Sequence, residues 1–408
     1  LVFHQVMPGS RNTDYWGMPK LASSPSHLYG MRNDLAMNET YGASGWTTGL
    51  PTMKWLADWQ MVRGINFLIP HAFNPTYPDP DCPPHFWAKG NDPQWMLFRH
   101  WADYTNRVCA LLTGGRHVAP AAVLYTAESS WAGHADLIEL VEAELLKAQY
   151  DFDLLDFDLF LDTDACRIRD GALRIAQEQF PLLVLPGVDA IPVAVMERIA
   201  RFVGNGGTLL STCRLPQHSC ERGQDARVQA LVEQVFGPAT KPGTLRERRH
   251  GSGGRAVFVP ALGGVARALE GLGRPSDCTA YPRFEDLRYI HRVKDGADVF
   301  FLTNESIDET FSGTVSLAAR GMPEIWDALA GTIEPAKVYS DHEGRTRIPL
   351  TLAPYESALI VFGSAQPSAH VIDTNLVEVL HLDVASGGAT VTGIARGASR
   401  PYATALAG

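Results

Sequence analysis

Two short apolar runs near the start of the chain each end in polar side chains that can do chemistry. The first run ends in Asn38 and Glu39, and the second ends at His71, with a helical stretch over 52–62 between them. Strand, loop, helix and strand with functional groups at the strand ends is how a (β/α) barrel builds its active site. The pattern therefore predicts that Glu39 is a catalytic carboxylate.

Aromatic and polar residues crowd the loops that follow these runs. Sugar rings have apolar C–H faces that stack on aromatic side chains, and they have hydroxyls that need paired donors and acceptors. This mixture suits a sugar better than a phosphate or a fatty chain. The predicted substrate-binding residues are His4, Trp16, Asn38, Tyr41, Trp46, His71 and Asn74.

Other interpretations of these residues stay open. A lone Glu39 at a strand end is often a solvated loop residue, and His71 can be structural. The loop acids Asp79 and Asp81 offer oxygen ligands for Ca²⁺, but they lack a regular ligand spacing. Glycoside hydrolysis needs two carboxyl groups. Glu39 supplies one, and the second is expected on an earlier strand that this sequence does not contain.

Composition excludes several classes of protein. The 408 residues are 45% hydrophobic and 20% charged, with a net charge of −10 and no basic cluster, so a nucleic-acid or anionic membrane partner is not expected. No apolar run reaches the ~20 residues of a membrane span. The six cysteines lack CxxC spacing, which argues against a zinc site and a dense disulfide framework. Free buried thiols are favoured over a Cys213–Cys220 pair.

Periodicity divides the chain into four predicted parts. Residues 1–118 alternate strand and helix as the last strands of a (β/α)8 barrel, and 119–288 alternate again as a small doubly wound α/β domain. Residues 289–364 hold short alternating strands typical of an antiparallel β-sandwich. Residues 365–408 are expected to open a further β domain. The Gly- and Arg-rich stretch at 243–255 is expected to be a flexible surface loop.

The chain begins at Leu1 in an apolar run and ends soon after a new strand-rich segment starts. Both ends look cut from a longer protein. An extracellular or periplasmic location is expected if the full-length protein carries a signal peptide.

Cys213 follows a strand of the α/β part, and Glu128 and His134 follow another, so a Cys/His/Glu amidotransferase triad is one interpretation. Because no glycines flank Cys213 and Arg-Leu-Pro follows it, a non-catalytic domain is favoured.

Several segments resemble known families. The segments 38–42 (Asn-Glu-Thr-Tyr-Gly) and 64–71 (Gly-Ile-Asn-Phe-Leu-Ile-Pro-His) resemble strands seven and eight of (β/α)-barrel glycosidases. Leu-Val-Leu-Pro at 183–186 and Gly-Gly-Thr-Leu-Leu at 206–210 resemble the amidotransferase-like domain that follows the barrel in enzymes such as family 42 β-galactosidases. The segments 323–327 and 353–357 are similar to the C-terminal part of bacterial family 106 α-L-rhamnosidases.

The resemblance implies a multidomain glycoside hydrolase of a plant or microbial glycan, with α-L-rhamnoside as one candidate linkage. Glu39 matches the strand-seven carboxylate, which is the nucleophile in retaining members and the general base in the inverting rhamnosidases. The acid partner would lie on a strand that is absent here. The resemblance also implies Ca²⁺ near the site, while the residues themselves predict no cofactor. The alternatives are a retaining β-galactosidase-type enzyme and a non-catalytic carbohydrate-binding or structural segment. The expected partners are a carbohydrate substrate and the missing N-terminal part of the same polypeptide.

Overall fold

A computed structural model describes residues 17–363, together with Pro8 and the backbone of three later strands; residues 239–240, 242 and 274–275 are not described. His4 and Trp16 lie outside the described residues, as does the apolar run that begins at Leu1. The three later strands are β24 (Val377–Ala385), β25 (Gly388–Ala395) and β26 (Pro401–Ala407), which form an antiparallel sheet.

The first part of the chain is built around a parallel strand pair. Its elements are α1 (Lys20–Leu28), β1 (Met37–Thr40), α2 (Leu50–Met61), β2 (Phe67–Pro70), α3 (Phe98–Leu112) and β3 (Arg116–His117), with 3-10 turns at Arg32–Asp34, Ala88–Gly90 and Trp95–Leu97. β1 pairs in parallel with β2, which places Glu39 opposite Ile69. The predicted helix over 52–62 and strand over 65–69 are confirmed within about two residues, which is the usual boundary error. The first apolar run, which ends in Asn38 and Glu39, forms β1, so Glu39 lies within the strand.

The two faces of the β1–β2 pair differ in exposure. Along a strand, successive side chains point to opposite faces. Asn38 and Thr40 are buried against α2, where the Gln60 side-chain oxygen accepts hydrogen bonds from the Asn38 amide at 2.6 Å and the Thr40 hydroxyl at 3.0 Å. Met37 and Glu39 are exposed on the other face. The helices therefore cover one face of the pair only.

α2 is also tied to the C-terminal part of the described chain. At the end of α2, Arg63 makes a buried ion pair with Glu305 at 2.5 Å. Lys54 pairs with Asp58 at 2.6 Å and donates to the Ser357 hydroxyl at 2.9 Å. Because these bonds hold both ends of α2, the helix and the strands beside it have a fixed position on the rest of the molecule.

The second part has a six-stranded sheet in the order β13-β14-β11-β9-β4-β5. All pairs in it are parallel except β13–β14, and apolar cores cover both faces, as in a doubly wound fold. The elements are β4 (Ala121–Leu124), α4 (Ala127–Ala132), α5 (Ile138–Lys147), β5 (Phe152–Leu155), α6 (Phe157–Leu161), β6 (Cys166–Arg169), β7 (Ala172–Ile175), β8 (Glu178–Phe180), β9 (Leu182–Leu185), β10 (Ala190–Ile191), α7 (Val193–Gly204), β11 (Thr208–Thr212), β12 (His218–Ser219), α8 (Asp225–Phe236), β13 (Arg246–Arg249), β14 (Arg255–Val259), a 3-10 turn at Leu262–Gly264 and α9 (Val265–Gly271).

The expectation of a loop over 243–255 was wrong for part of that stretch. Arg246–Arg249 forms β13, which pairs antiparallel with the strand that starts at Arg255. Arginines suit this position because β13 is an edge strand, and charged side chains on an edge discourage pairing with another chain.

The third part is an antiparallel sandwich of two sheets, in the orders β15-β18-β22-β21 and β20-β19-β23-β17-β16-β3. A shared core lies between them. The outer face of the larger sheet is buried as well, against α2 and α3. Pairing also brings in β3 and β15, which precede residue 289. The strands are β15 (Cys278–Tyr281), β16 (Leu287–Lys294), β17 (Ala297–Asn304), β18 (Phe311–Leu317), β19 (Pro323–Asp327), β20 (Thr332–Pro335), β21 (Ser340–His342), β22 (Arg345–Leu352) and β23 (Ser357–Phe362).

A buried charged cluster joins the first two parts. His117 on β3 lies between two carboxylates, 2.7 Å from Asp151 and 2.9 Å from Asp153. From α1, Lys20 pairs with Asp151 at 2.6 Å, and His27 lies 3.0 Å from Asp153. All five side chains are shielded from water, and such groups are tolerated inside a protein because they are paired with one another.

The described helices and cysteines give two further findings. None of the helices in the described ranges is both long and apolar enough to cross a membrane. The six cysteines all lie in those ranges and are free thiols, but Cys213 and Cys220, which were expected to be buried, are only partly buried.

Candidate active site

Glu39 stands on the exposed face of β1, one residue before the strand ends. Met37, Phe67 and Ile69 share this face, because the parallel register sets Met37 opposite Phe67 and Glu39 opposite Ile69. These three apolar side chains are about half exposed. The face therefore presents a carboxylate at its carboxyl end and an apolar surface behind it.

Asn38 and Tyr41 point away from this face. The Asn38 amide donates to Gln60 on α2. Tyr41 is only 1% exposed; its hydroxyl donates to the Met53 carbonyl oxygen at 2.7 Å and accepts from the Trp101 indole at 2.9 Å. These hydrogen bonds fix β1 and the loop after it on α2 and α3. That they contact substrate stays a prediction.

Trp46 forms an exposed aromatic wall with Tyr77 from the loop after β2. Trp46 is 47% exposed, and its ring meets the Tyr77 ring edge-on at 6.4 Å and the His85 ring at 5.1 Å. A hydrogen bond from the Gly45 N–H to the Pro83 carbonyl oxygen at 3.0 Å holds the two loops together. The structure thus places Trp46 beside the loop that starts at His71, at the carboxyl ends of β1 and β2. One face of its ring is open to a ligand.

His71 and Asn74 begin the loop after β2. Nε2 of His71 lies 3.3 Å from Oδ2 of Asp81, and its Nδ1 is buried with no hydrogen-bond partner among the described residues. Asn74 is held by its backbone N–H, which donates to the Phe86 carbonyl oxygen at 3.1 Å. Its side-chain oxygen is also buried without a partner in the described chain. Each of these two side chains therefore keeps one polar atom that no described residue of the protein uses.

The acidic tip of this loop does not offer the oxygen-rich set that Ca²⁺ prefers. Asp79 accepts from the Asp81 N–H at 3.0 Å and from the Thr76 hydroxyl at 3.2 Å, so both of its oxygens are engaged in the local turn. Asp81 accepts from the Cys82 N–H at 2.8 Å and faces His71 with its other oxygen. Ca²⁺ takes about 6–8 oxygen ligands. These residues do not fit that ion, and the implied Ca²⁺ stays a prediction with no ligands assigned to it.

Cys213 lies at the carboxyl end of β11 with a positive φ of 59°. Burial and the nearby Asp136 carboxylate raise the pKa of its thiol, which is the reverse of what a nucleophile needs. Arg214 next to it pairs with Asp136 at 3.1 Å and with Asp189 at 3.0 Å. His134 also faces Asp136, at 3.4 Å. The geometry favours a structural role for this cluster.

Cys82 and His85 were not among the residues singled out from the sequence. Their neighbours in the chain are mostly prolines and aromatic residues. This mixture predicts a loop and gives no indication of a binding site. The fold brings them to His71 and Trp46 because backbone hydrogen bonds join Ala72 to Pro84 and to Phe86. A pairing between the two arms of an irregular loop leaves no periodic signal in a sequence.

The fold resembles that of known glycoside hydrolases. The family model described as alpha-L-rhamnosidase, glycoside hydrolase family 106, matches residues 3–340. This is most of the chain, and the chain belongs to that family. A protein of Formosa agariphila that carries the provisional name beta-glucuronidase is 26% identical over 366 residues, which is 86% of this chain and 28% of that protein.

Solved structures show the same architecture. A rhamnosidase from Novosphingobium sp. PP1Y superimposes with a TM-score of 0.67 at 20% identity, over 97% of this chain and 37% of that one. A β-galactosidase from Bacillus circulans superimposes with a TM-score of 0.54 at 12% identity, over 87% of this chain and 59% of that one. The chain thus spans well under half the length of its rhamnosidase relative. At these identities the likeness establishes the fold alone.

Proposed function

We propose that this chain is the C-terminal part of an inverting α-L-rhamnosidase in which Glu39 is the general base. In this proposal β1 and β2 are the last strands of a (β/α)8 barrel whose other strands come from residues outside this sequence. The observation that carries the proposal is the position of Glu39, at the carboxyl end of the uncovered face of a parallel strand pair. Catalytic groups of barrel enzymes lie at the carboxyl ends of the strands.

The apolar side chains on the same face are a second observation in favour of the proposed barrel. The interior of a (β/α)8 barrel is filled by bulky apolar side chains from its strands. Met37, Phe67 and Ile69 have this character, yet they are about half exposed here. Further strands of the barrel would bury them, while α2 and α3 already form the outer layer.

In the proposed mechanism Glu39 takes a proton from a water molecule as the water oxygen attacks the anomeric carbon. The bond from that carbon to the leaving oxygen breaks, and a second carboxylic acid protonates the leaving group. The two carboxyl groups of an inverting enzyme lie about 6.5–9.5 Å apart, which leaves room for the water. The acid belongs to the part of the barrel outside this sequence.

The loops around Glu39 suit a neutral deoxy sugar. Rhamnose carries a methyl group where most hexoses carry a hydroxymethyl group, and the exposed rings of Trp46 and Tyr77 offer an apolar surface for it. His71 and Asn74 offer unused polar atoms for its hydroxyls. The loop segments 41–49 and 71–87 contain no Lys or Arg to neutralise a uronate carboxylate. This composition favours a rhamnoside over a glucuronide.

The remaining parts act as a scaffold in this proposal. The six-stranded α/β sheet is an amidotransferase-like domain in which Cys213 has no catalytic role, since its neighbour Arg214 is held in ion pairs with Asp136 and Asp189 and the pKa of its thiol is raised. The sandwich holds α2 through Arg63 and Lys54. Asn38, Thr40 and Tyr41 position the strand end and its loop. The partner is a carbohydrate, and neither nucleic acid nor a membrane is involved.

The proposal is tested with a protein that contains this chain together with the rest of its barrel. Aryl α-L-rhamnoside, β-D-galactoside and β-D-glucuronide are compared as substrates, and proton NMR follows the first-formed anomer. Faster hydrolysis of the rhamnoside with inversion is expected. A preference for the galactoside with retention would make Glu39 a nucleophile, and a preference for the glucuronide would overturn the choice of sugar.

A further inference from the structure

We infer that the loop after β2 binds one divalent transition-metal ion, with Zn²⁺ as the best fit, through His71, Asp81 and Cys82. One candidate ligand atom from each of these side chains lies within 4.8 Å of the other two. Nε2 of His71 lies 3.3 Å from Oδ2 of Asp81. This inference goes beyond the proposed hydrolysis, which uses no metal.

The spacing matches a tetrahedral ion. Zinc bonds are about 2.0–2.1 Å to nitrogen, 2.0–2.2 Å to oxygen and 2.3 Å to sulfur, which puts ligand atoms on one tetrahedral ion roughly 3.3–3.6 Å apart. The 3.3 Å between His71 and Asp81 lies in that range. A hydrogen-bonded pair would be shorter, since N–H···O distances cluster near about 2.9–3.0 Å.

The donor set selects the kind of ion. A nitrogen, a carboxylate oxygen and a thiolate sulfur together suit Zn²⁺ or Co²⁺, whereas Ca²⁺ and Mg²⁺ take oxygen ligands. The sequence argued against zinc because its cysteines lack paired spacing. Here two ligands are sequence neighbours, Asp81 and Cys82, and the loop fold supplies the third.

Backbone bonds place the ligands before any ion arrives. The His71 N–H donates to the Thr40 carbonyl oxygen at 2.7 Å, which anchors the residue to the end of β1. The Asp81 carbonyl oxygen lies 2.9 Å from Nε2 of His85, which fixes the far side of the loop. The Cys82 N–H donates a hydrogen bond to Oδ1 of Asp81, and Oδ2 of Asp81 faces His71.

The competing explanation is an ordinary His71–Asp81 ion pair. In such a pair the exposed Cys82 thiol only hydrogen-bonds to the Asp81 carboxylate, and the pair would persist without it. Three protein ligands leave one tetrahedral position open for water or a substrate oxygen. The part played by Cys82 therefore distinguishes a metal site from an ion pair.

The experiment titrates the protein that contains this chain and the rest of its barrel, stripped of metal by a chelator, with CoCl₂ and ZnCl₂. One equivalent of Co²⁺ is expected to give a near-ultraviolet thiolate-to-metal charge-transfer band. Zn²⁺ is expected to displace the bound Co²⁺ and thereby remove the band. Cys82→Ser should abolish the band, and His71→Gln and Asp81→Asn should each weaken binding at least tenfold. Cys213→Ser, which removes a partly exposed thiol in the α/β part, should bind as the unaltered chain does.

Three results would overturn the inference: no saturable binding, a band that survives Cys82→Ser, or CaCl₂ competing as well as ZnCl₂. Because Cys82 and Asp81 are exposed, these variants should keep the circular dichroism of the unaltered chain. No substrate is present in the titration. Its outcome is therefore independent of whether the proposed rhamnosidase activity is correct.

Discussion

The backbone N–H of His71 donates a hydrogen bond to the carbonyl oxygen of Thr40 at 2.7 Å. This bond joins the carboxyl ends of β1 and β2 directly after Glu39. The loop that carries His71, Asn74 and Asp81 therefore starts beside the carboxylate, and the two strand ends contribute to one site.

Trp46 is expected to stack on the sugar. Trp46→Ala should raise KM for an aryl α-L-rhamnoside about tenfold, because an aromatic pair contributes about 0.5–1.5 kcal/mol beyond its buried area. Steady-state kinetics of the protein that contains the whole barrel measure this change. Trp131→Ala is the matched control, since Trp131 is 81% exposed on α4 of the α/β part. Equal KM values for the two variants would remove Trp46 from the substrate site.

Asp151 should be far more important to stability than a surface acid. Asp151→Ala leaves Lys20 and His117 buried without their carboxylate, and removing one member of a buried ion pair costs about 3–5 kcal/mol. Asp103→Ala breaks the exposed Arg99–Asp103 pair, which contributes about 1 kcal/mol or less. Urea unfolding of both variants gives the two free energies. A cost for Asp151→Ala as small as that of the control would contradict the buried network.

Stability should fall as the pH rises from about 6.5 to about 9. Burial lowers the pKa of His117, but the charges of Asp153 and Asp151 and their hydrogen bonds outweigh it and raise the pKa to about 9. A group whose folded pKa lies above its unfolded value stabilises the protein fully below the unfolded pKa, and this contribution is lost as pH rises through the folded pKa. His117→Gln should be less stable than the unaltered chain and should lack this part of the decline.

Urea unfolding at a series of pH values measures the difference in stability between His117→Gln and the unaltered chain. His27 acts in the opposite direction, because burial lowers its pKa to about 4. The stability that depends on neutral His27 is present above about pH 6.5 and is lost toward pH 4. His218→Gln removes an exposed imidazole and serves as the control. If His117→Gln kept the full decline above pH 6.5, His117 would not be the charged centre of the cluster.

Cys213→Ala should leave glycosidase turnover unchanged. Burial and Asp136 raise the pKa of its thiol, and the cluster around Arg214 is engaged in ion pairs. Turnover of an aryl glycoside and a melting curve are the two readouts. Loss of turnover with an unchanged melting curve would favour an amidotransferase-like chemistry for the α/β part.

The sequence predicted the elements around the site better than the directions of the side chains. The apolar runs and helical periodicity located β1, α2 and β2, because such patterns depend on burial alone. They could not show that Asn38 faces Gln60 on α2 or that Tyr41 faces Trp101, since both contacts depend on packing between distant segments. The β13 hairpin was missed because its Gly and Arg residues suit a loop as well as an exposed edge strand.

The proximity of Cys82 to His71 was equally hidden. It follows from the path of the loop between Ala72 and Phe86, whose two arms are paired through Ala72, Pro84 and Phe86. No regular period describes such a path, so the structure was needed to find it.

The most direct test of the account is Glu39→Gln in the protein that contains this chain and the rest of its barrel, assayed on an aryl α-L-rhamnoside. Glu334→Gln, at an exposed carboxylate on β20, is the matched control. If Glu39 is the general base, kcat should fall about 100- to 10,000-fold in Glu39→Gln, the range for losing a general acid or base, with an unchanged melting curve. Retention of more than about a tenth of the original kcat, a loss of less than about 1.4 kcal/mol in the barrier, would contradict that role.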